Sequence, residues 1–304
     1  MKSIKIEMCK NGFEYAINDK KIHCDIKDNA IDYSKVNELN NEFDRNLSAI
    51  LSRNFVTYII AVALICLTLI ISCITFDKYN KVLSFPQFLL ISCAIIIFAW
   101  LLSFCRFKRV EYIWDSFIHS LLTKRNGALS HLLSCSRIKL FAGQTVENCP
   151  KKNAGSLYKI DLQATKMYFG KAPKYLKITN GLDIVQIKSK GQRVLFLPDR
   201  ILIVKNRTVF SEFYKNISVN LKLSRYIEKT GVPSDAQVVD YTWQYVNVDG
   251  SPDRRFKNNY RIPICNYADL TFSGKRGKLF CIVVSSYKKA YDFVSQWNSI
   301  ENVF

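Results

Sequence analysis

The densest cluster of chemically active side chains lies between Asp249 and Arg261, in the stretch DGSPDRRFKNNYR. Four cationic side chains fall within eight residues there: Arg254, Arg255, Lys257 and Arg261. An arginine guanidinium group matches phosphate oxygens with two parallel hydrogen bonds, and the rings of Phe256 and Tyr260 offer faces for stacking. The stretch is therefore a candidate site for the phosphate groups of a lipid, a nucleotide or an oligonucleotide.

Lys275 and Arg276, each next to a glycine, predict a second basic turn. This turn is a candidate to face the same phosphate-type ligand as the first stretch. A purely structural interpretation of the first stretch stays open, in which Asp253 bridges an arginine and Phe256 fills the core. Residue types alone do not separate a ligand site from a structural turn here.

The chain carries no sequence signature of catalysis. The motifs GxGxxG, GxxxxGK[ST], HExxH and GxSxG are all absent from the 304 residues. Ten cysteines occur without a CxxC pair, and the histidines are dispersed at His23, His119 and His131. We therefore expect no enzyme activity, no metal site and no cofactor, and we expect free thiols in a reducing compartment.

From about Arg137 onwards the chain consists of short β-rich runs separated by Asn-Gly, Lys-Gly and Pro-Asp turn signals. The predicted strands are KYLKITN, LDIVQIK, RVLFL, RILIVK, ISVNLKL, AQVVDYTWQYVNV and KLFCIVVS. The amphipathic sequence SYKKAYDFVSQWNSI predicts a closing helix. The fold class is therefore α+β, with a β-rich, barrel or sandwich-like domain over residues 137–304.

The stretch FLPDRILIV, from Phe196 to Val204, reads as a strand, a turn and a second strand that restarts at Arg200. Together with the closing helix, this stretch resembles the pleckstrin-homology-like barrels of bacteria. The resemblance implies a barrel fold for the C-terminal part of the chain and a role in binding lipid headgroups.

Residues 1–32 predict a β-hairpin, because apolar and polar residues alternate on both sides of Asn11-Gly12, a strong turn signal. From Tyr33 to Asn54 apolar residues recur at helical spacing, which predicts a helix that continues into the apolar run that follows. Val110 to about Lys124 shows the same spacing, and a short helix is predicted from Ala128 to Ser136. We expect these helices to form a stalk within residues 33–136.

Two uninterrupted apolar runs lie close together, at residues 55–75 and 87–105. A bilayer core of about 30 Å needs about 20 apolar residues in a helix, so each run is long enough to cross it. The linker between the runs is short, which makes the two helices antiparallel neighbours. The sequence therefore predicts a two-helix transmembrane hairpin.

The distribution of basic residues predicts the orientation of the hairpin. Lys78 and Lys81 lie in the linker, whereas the outer flanks hold a larger set: Arg45, Arg53, Arg106, Lys108, Arg109, Lys124 and Arg125. Since short loops rich in Lys and Arg stay in the cytosol, both termini are expected to be cytoplasmic. The expected location is the inner (plasma) membrane of a bacterium.

Small polar residues form stripes along both predicted spans. Thr68, Ser72 and Thr75 share one face of the first span, and Ser92 and Ser103 lie near one face of the second. In lipid, such residues allow close helix packing and hydrogen bonds between helices. A pore lined by several copies is the alternative, and it requires an oligomer because two helices cannot enclose a channel.

Nearly all of the formal net charge of +19 lies after the second apolar run, where residues 106–304 carry 33 basic and 15 acidic side chains. Three causes stay open. The domain could be held against an anionic membrane leaflet, it could bind nucleic acid or nucleotides, or its composition could follow an AT-biased genome.

The layout of two spans and a basic cytosolic domain is similar to the two-span effectors of bacterial antiviral systems. That resemblance implies an oligomeric effector whose cytosolic domain senses a ligand or protein partner and controls membrane permeability, as an ion channel or pore. The alternative is a membrane-tethered adaptor that binds anionic lipid or protein partners without channel activity.

Overall fold

The computed structural model describes residues 3–9, 12–17, 20–25, 33–79, 85–104, 108–146, 158–178, 182–247 and 249–300. The chain divides into two compact units, each made from separated stretches of sequence. The first unit comprises Met1–Ile113, Lys171–Leu182 and Val204–Phe210. The second comprises Trp114–Gly170, Asp183–Ile203 and Ser211–Phe304. The predicted division of the chain at residues 32 and 136 stays a prediction.

The described helices are α1 (Tyr33–Tyr79), α2 (Phe85–Phe104), α3 (Ser116–Leu133) and α4 (Tyr287–Asn298). The strands before residue 180 are β1 (Ser3–Cys9), β2 (Gly12–Ile17), β3 (Lys20–Asp25), β4 (Lys108–Trp114), β5 (Ile138–Val146), β6 (Tyr158–Ala164), β7 (Lys166–Lys171) and β8 (Leu176–Ile178). The later strands are β9 (Asp183–Ser189), β10 (Gln192–Phe196), β11 (Arg200–Lys205), β12 (Thr208–Phe213), β13 (Ser218–Ile227), β14 (Gln237–Trp243), β15 (Arg261–Gly274) and β16 (Gly277–Val284). The fold class is therefore mixed α+β, as predicted.

The sheet of the first unit has the strand order β3-β2-β1-β4-β8. The predicted N-terminal hairpin is confirmed, since β1 pairs antiparallel with β2 and Cys9 lies opposite Gly12; Asn11 lies outside the described residues. Side chains of β1 alternate as the sequence does, with Ile6 and Met8 buried. The sheet therefore joins strands that precede α1 in sequence to strands that follow α2.

The segment after the second apolar helix differs from its prediction. Val110 to Lys124 was expected to be a helix of the stalk, but Lys108–Trp114 is strand β4, which pairs in parallel with β8. Val110 and Tyr112 are both buried, a period of two that fits a strand pairing with β1 and β8. The predicted helix is therefore wrong for Lys108–Trp114, whereas residues 116–124 lie in helix α3 as predicted.

The helix expected at residues 128–136 is instead the second half of α3, which begins after Asp115. The Asp115 carboxylate accepts a hydrogen bond from the Ile118 amide at 2.9 Å and caps the helix start. Gly127 does not interrupt α3. A Cβ atom there would lie 3.2 Å from Nε2 of Gln296, so glycine allows α4 to pack closely.

Helix α1 confirms the prediction that the amphipathic helix runs without a break into the first apolar run. Its 47 residues correspond to a length of about 70 Å at 1.5 Å per residue. The early part is folded into the first unit, with Asn40, Phe43, Asp44 and Leu47 buried. From Phe55 onwards most of the described apolar side chains are exposed.

Among the described residues, one helical segment is long and apolar enough to cross a membrane, Asn40–Ile70. Only 6% of its most apolar window is buried inside the protein, which distinguishes it from the core helix of a soluble domain. The corresponding apolar segment of α2, Leu90–Ala99, is shorter. One candidate span is therefore present in the described part of the chain, not the two predicted from the sequence.

Helices α1 and α2 contact each other within the first unit. In their apolar segments, Ala61, Ser92 and Ala99 are the described side chains that are buried, and all three are small. Small residues permit close approach of helices in lipid. Their burial favours the packing interpretation of the small-residue stripe on α2.

The second unit contains a β-rich half-barrel closed by α4, which confirms the predicted C-terminal architecture. One sheet has the order β12-β11-β10-β9-β7, and the other has the order β13-β15-β16-β5-β6. The long strand β15 pairs with β13 along one edge, and with β14 and then β16 along the other edge. β15 thus fixes the positions of three neighbouring strands.

Aromatic side chains fill the core of the second unit around Phe272 of β15. Its ring stacks on Phe280 at 4.5 Å and meets Phe196 and Trp297 edge-on, each at 6.2 Å. Helix α4 contributes Phe293 and Trp297 from its buried face. This aromatic cluster explains why the period-3.6 apolar face of α4 closes the half-barrel.

Candidate functional site: a basic loop between β14 and β15

The basic stretch predicted from the sequence belongs to the loop between β14 and β15, residues 244–260, within the second unit. Val248 lies outside the described residues. The two ends of the loop are joined by a hydrogen bond from the Gln244 amide to the Tyr260 carbonyl, at 3.0 Å. The loop is therefore a closed structure at the end of two paired strands.

Asp253 is the buried centre of this loop, and its side chain is 2% exposed. It accepts hydrogen bonds from Nε and Nη2 of Arg255 at 2.9 and 2.6 Å, in a bidentate ion pair. The Arg255 backbone amide also donates to Asp253, at 3.1 Å. Arg255 is therefore used in holding the loop, as the structural interpretation of the stretch predicted.

Asn259 joins the two sides of the loop through its side-chain amide. Its Oδ1 accepts from the Tyr245 amide at 3.0 Å, and its Nδ2 donates to the Tyr245 carbonyl at 2.7 Å. Nδ2 also approaches the Asp253 carbonyl at 3.4 Å. One side chain thus satisfies main-chain groups on both sides of the loop.

The ring of Phe256 stacks on the ring of Tyr245, with centroids 4.0 Å apart and an interplanar angle of 14°. Each ring therefore covers one face of the other. The stacking face that the sequence assigned to Phe256 is occupied from within the loop, which limits its use for binding a base.

The other cations of the stretch face solvent, two in the loop and one, Arg261, at the start of β15; the Arg255 side chain is itself 73% exposed. Arg254, Lys257 and Arg261 are all exposed. The Arg261 guanidinium lies over the ring of Tyr241, 5.3 Å from its centroid, in a cation–π contact. Tyr241 and Tyr260 are themselves about half exposed, at 51% and 52%. The loop and the strand ends next to it therefore present three cations and two tyrosine rings, with Tyr241 on β14 and Arg261 on β15.

Lys275 and Arg276 lie at the opposite end of β15 from this loop. They form the turn between β15 and β16, and both are exposed. The 14 residues of β15 have a contour length of about 45 Å at 3.3 Å per residue. One phosphate-sized ligand therefore cannot contact both basic turns, and the expected shared ligand does not fit this geometry.

The predicted small-residue stripes are only partly within the described side chains. Thr68 donates its hydroxyl to the Ile65 carbonyl of its own helix at 2.7 Å. Ser92 is buried, and its hydroxyl has no hydrogen-bond partner among the described residues. The side chains of Ser72, Thr75 and Ser103 lie outside the described part, so their packing or pore role stays a prediction.

Replacing Asn259 by alanine is expected to loosen the loop, because the Tyr245 amide loses its partner and the Tyr245 carbonyl keeps only its bond from the Asp253 amide, at 3.2 Å. The opening equilibrium is expected to rise about tenfold, as the loss of two hydrogen bonds to part-buried main-chain groups costs about 1.5 kcal/mol. Limited trypsin digestion of the full chain, which cuts after Lys257 and Arg254, measures this as faster cleavage. The exposed neighbour Asn258 is the matched control, and Asn258→Ala should digest at the wild-type rate. Equal rates of digestion for the two variants would show that Asn259 does not hold the loop closed.

A buried carboxylate in the same unit was missed from the sequence. Glu228, whose side chain is 2% exposed, binds Nη1 of Arg137 at 2.6 Å and Nζ of Lys139 at 2.7 Å. The Tyr267 hydroxyl donates to the same carboxylate at 2.7 Å. Burial alone would raise the pKa of Glu228, but the hydrogen bonds from Lys139 and Tyr267 and the two positive charges outweigh it and lower the pKa.

No spacing signal could have revealed this cluster, because Arg137 and Lys139 precede Glu228 by 91 and 89 residues. Glu228 directly follows β13, and Arg137 and Lys139 lie at the start of β5, although β15 and β16 separate these two strands in the sheet order. Two cations and one tyrosine already surround the carboxylate, so the cluster is satisfied internally and serves the fold.

The residues that carry the barrel resemblance are also structural. Asp199 and Arg200 are both buried, with Nε of Arg200 2.7 Å from Oδ2 of Asp199. Burial lowers the pKa of Arg200 to about 9. Arg125 of α3 donates to the Pro198 carbonyl at 2.8 Å and lies 3.6 Å from the centroid of the Tyr214 ring. Arg200, the arginine of this turn, is thus held inside the unit.

No group of three or more metal-ligating side chains occurs within the residues whose side chains are described. Comparisons with known proteins give no match to a protein family, a curated protein or a solved structure. The resemblances to pleckstrin-homology-like barrels and to antiviral effectors, and the expected absence of enzyme activity, therefore stay predictions.

Proposed function

We propose that the chain is a membrane-anchored protein, with a two-span hairpin and with a basic β-rich unit that binds an anionic partner on the cytosolic side. The support for an anchor is α1, whose apolar side chains from Phe55 to Ile70 are largely exposed. Exposed apolar surface of this extent is unfavourable in water and is favourable in hydrocarbon.

The observation that carries the two-span hairpin is the pairing of β1 with β4 in one sheet. β1 precedes α1 and β4 follows α2, so both ends of the helical segment must lie on the same side of a membrane. The segment between them then crosses an even number of times. If α1 crosses, a second crossing is required, and α2 is the apolar helix available for it.

A second candidate function is supported by the continuity of α1. One unbroken helix runs from the buried residues Phe43 and Leu47 into the exposed apolar segment, so a displacement of the folded part would move the segment in the lipid. An oligomeric effector that controls permeability could use this coupling. Loss of membrane potential on triggering, read with a voltage-sensitive dye in expressing cells, separates this candidate from a passive anchor.

A topology reporter that is active only outside the cytosol tests the proposed hairpin. Inserted after Tyr79, between α1 and α2, the reporter is expected to be active. Fused to the C-terminus of the same chain, it is expected to be inactive, because the hairpin returns the chain to the cytosol. Activity at the C-terminus, or inactivity at the linker, would contradict a two-span hairpin with cytosolic termini.

A further inference from the structure

The loop between β14 and β15, taken together with Arg261 at the start of β15, carries an excess of positive charge that its carboxylates do not balance. Residues 249–261 contain four cations and two carboxylates. The pair formed by Asp253 and Arg255 is neutral as a unit, which leaves Arg254, Lys257 and Arg261 against Asp249. Asp240 of β14 is a further exposed carboxylate near the base of the loop. The net surface presented by the loop is therefore cationic and suits an anionic partner.

The arrangement of aromatic rings distinguishes between classes of anionic partner. Bases of single-stranded nucleic acid stack on open aromatic faces. Tyr245 and Phe256 cover each other, and one face of Tyr241 is next to the Arg261 guanidinium. The two rings that remain about half exposed, Tyr241 and Tyr260, are tyrosines, whose apolar ring and polar hydroxyl suit the boundary between water and lipid.

The frame of the loop reduces the entropic cost of docking. Asn259, Asp253 and the bond from Gln244 to Tyr260 hold the loop in one conformation before any ligand is present. A surface that is already ordered loses less freedom on binding than a mobile one. A flat, multivalent partner such as a lipid surface can contact several of the outward side chains together.

We propose that this loop docks on the surface of an anionic lipid bilayer, through Arg254, Lys257 and Arg261 with Tyr241 and Tyr260 at the headgroup level. The inference rests on the proposed membrane anchor, and it names the partner of the basic unit. Each cation near an anionic surface contributes a several-fold gain in binding, so removal of two cations is expected to weaken docking about 30-fold. The attraction is also expected to weaken at high salt.

Hydrogen exchange of the full chain in lipid nanodiscs tests the proposal. In discs that contain phosphatidylglycerol, amides of residues 249–261 are expected to exchange more slowly than in phosphatidylcholine discs. The difference is expected to vanish at 1 M NaCl and in the double variant Arg254→Gln with Lys257→Gln. The variant Lys188→Gln with Lys190→Gln is the matched control, because it removes the same charge from exposed positions near the β9–β10 turn.

The outcomes separate this inference from the proposed anchor. A chain that enters nanodiscs but shows equal exchange of the loop in both lipids overturns the docking proposal and leaves the anchor standing. A chain that does not enter nanodiscs overturns the anchor. In a third outcome, anionic lipid has no effect, but inorganic pyrophosphate or a short single-stranded DNA slows exchange of the loop in neutral discs. This result would assign the loop to a soluble anion and overturn lipid docking.

Discussion

Replacing Glu228 by glutamine is expected to lower the free energy of unfolding of the β-rich unit by about 2 to 3 kcal/mol. The substitution removes the negative charge that compensates Arg137 and Lys139. Complete burial of such a cluster would give a larger loss. The side chains of Arg137 and Lys139 are 27% and 21% exposed, however, and water partly screens the charges left behind.

Thermal unfolding of the purified full chain in detergent, followed by tryptophan fluorescence, measures this effect. A loss of this size corresponds to a decrease in Tm of about 8 °C for a unit of this length. Asp240→Asn is the matched control, since it removes the same charge from an exposed position on β14. A Tm for Glu228→Gln equal to that of the control would show that the buried ion pairs add no net stability.

Glu228 and a second carboxylate outside its cluster, Asp235, predict a dependence of stability on pH. The pKa of Glu228 is lowered in the folded state, and the pKa of Asp235 is lowered to about 2, where hydrogen bonds from Ser285, Ser136 and Lys289 outweigh burial. A carboxylate with a lowered pKa stabilises the fold fully above its unfolded pKa of about 4 to 4.5. The stability of the wild-type unit should therefore fall as pH decreases below that value, and Glu228→Gln should show a weaker decrease.

The second large effect is expected in the apolar segment of α1, the proposed membrane span. Introducing two arginines into α1, at Val62 and Leu69, is expected to prevent its insertion, because each arginine near a helix centre costs about 2.5 to 3.5 kcal/mol on insertion scales. Both side chains are exposed in the described structure, at 60% and 45%, so the folded unit does not depend on packing around them. The activity of the reporter placed after Tyr79 is expected to fall at least tenfold.

The control for this variant keeps the positions apolar, as Val62→Leu with Leu69→Ile, and should retain full reporter activity. A double-arginine variant that keeps the reporter active would show that α1 does not carry the first crossing. The result is independent of the lipid-docking loop, since the substitutions and the loop belong to different units of the chain.

The parts of this fold that were predicted from the sequence are those with a local signal. The apolar period of α4, the alternation in β1 and β2, and the unbroken pattern from Tyr33 into the apolar run each follow from residues close together in the chain. β4 was mistaken for a helix because its apolar residues match both periods over a short length. Only the pairing with β1 and β8, which are distant in sequence, selects the strand.

The composition of the sequence located the candidate site, but it did not reveal the contacts of the individual side chains there. Four neighbouring cations marked the loop, yet the sequence did not show which of the exposed arginines, Arg254 or Arg255, forms the ion pair with Asp253. The cluster at Glu228 gave no signal, because its members come from separate strands. Charge interactions of this kind depend on tertiary contacts, and residue spacing does not report them.

The sheet that joins β1 to β4 also sets an order of events during synthesis. About a hundred residues separate the two strands, a separation at which closing an unstructured loop is slow and entropically costly. A hairpin inserted in the bilayer would bring the ends of α1 and α2 together, and so would place β4, which begins four residues after α2, close to β1 as soon as it emerges. A copy whose hairpin fails to insert would leave the edge of β1 unpaired while translation continues, and such edges are templates for aggregation. Insertion would then act as the quality check on folding of the first unit.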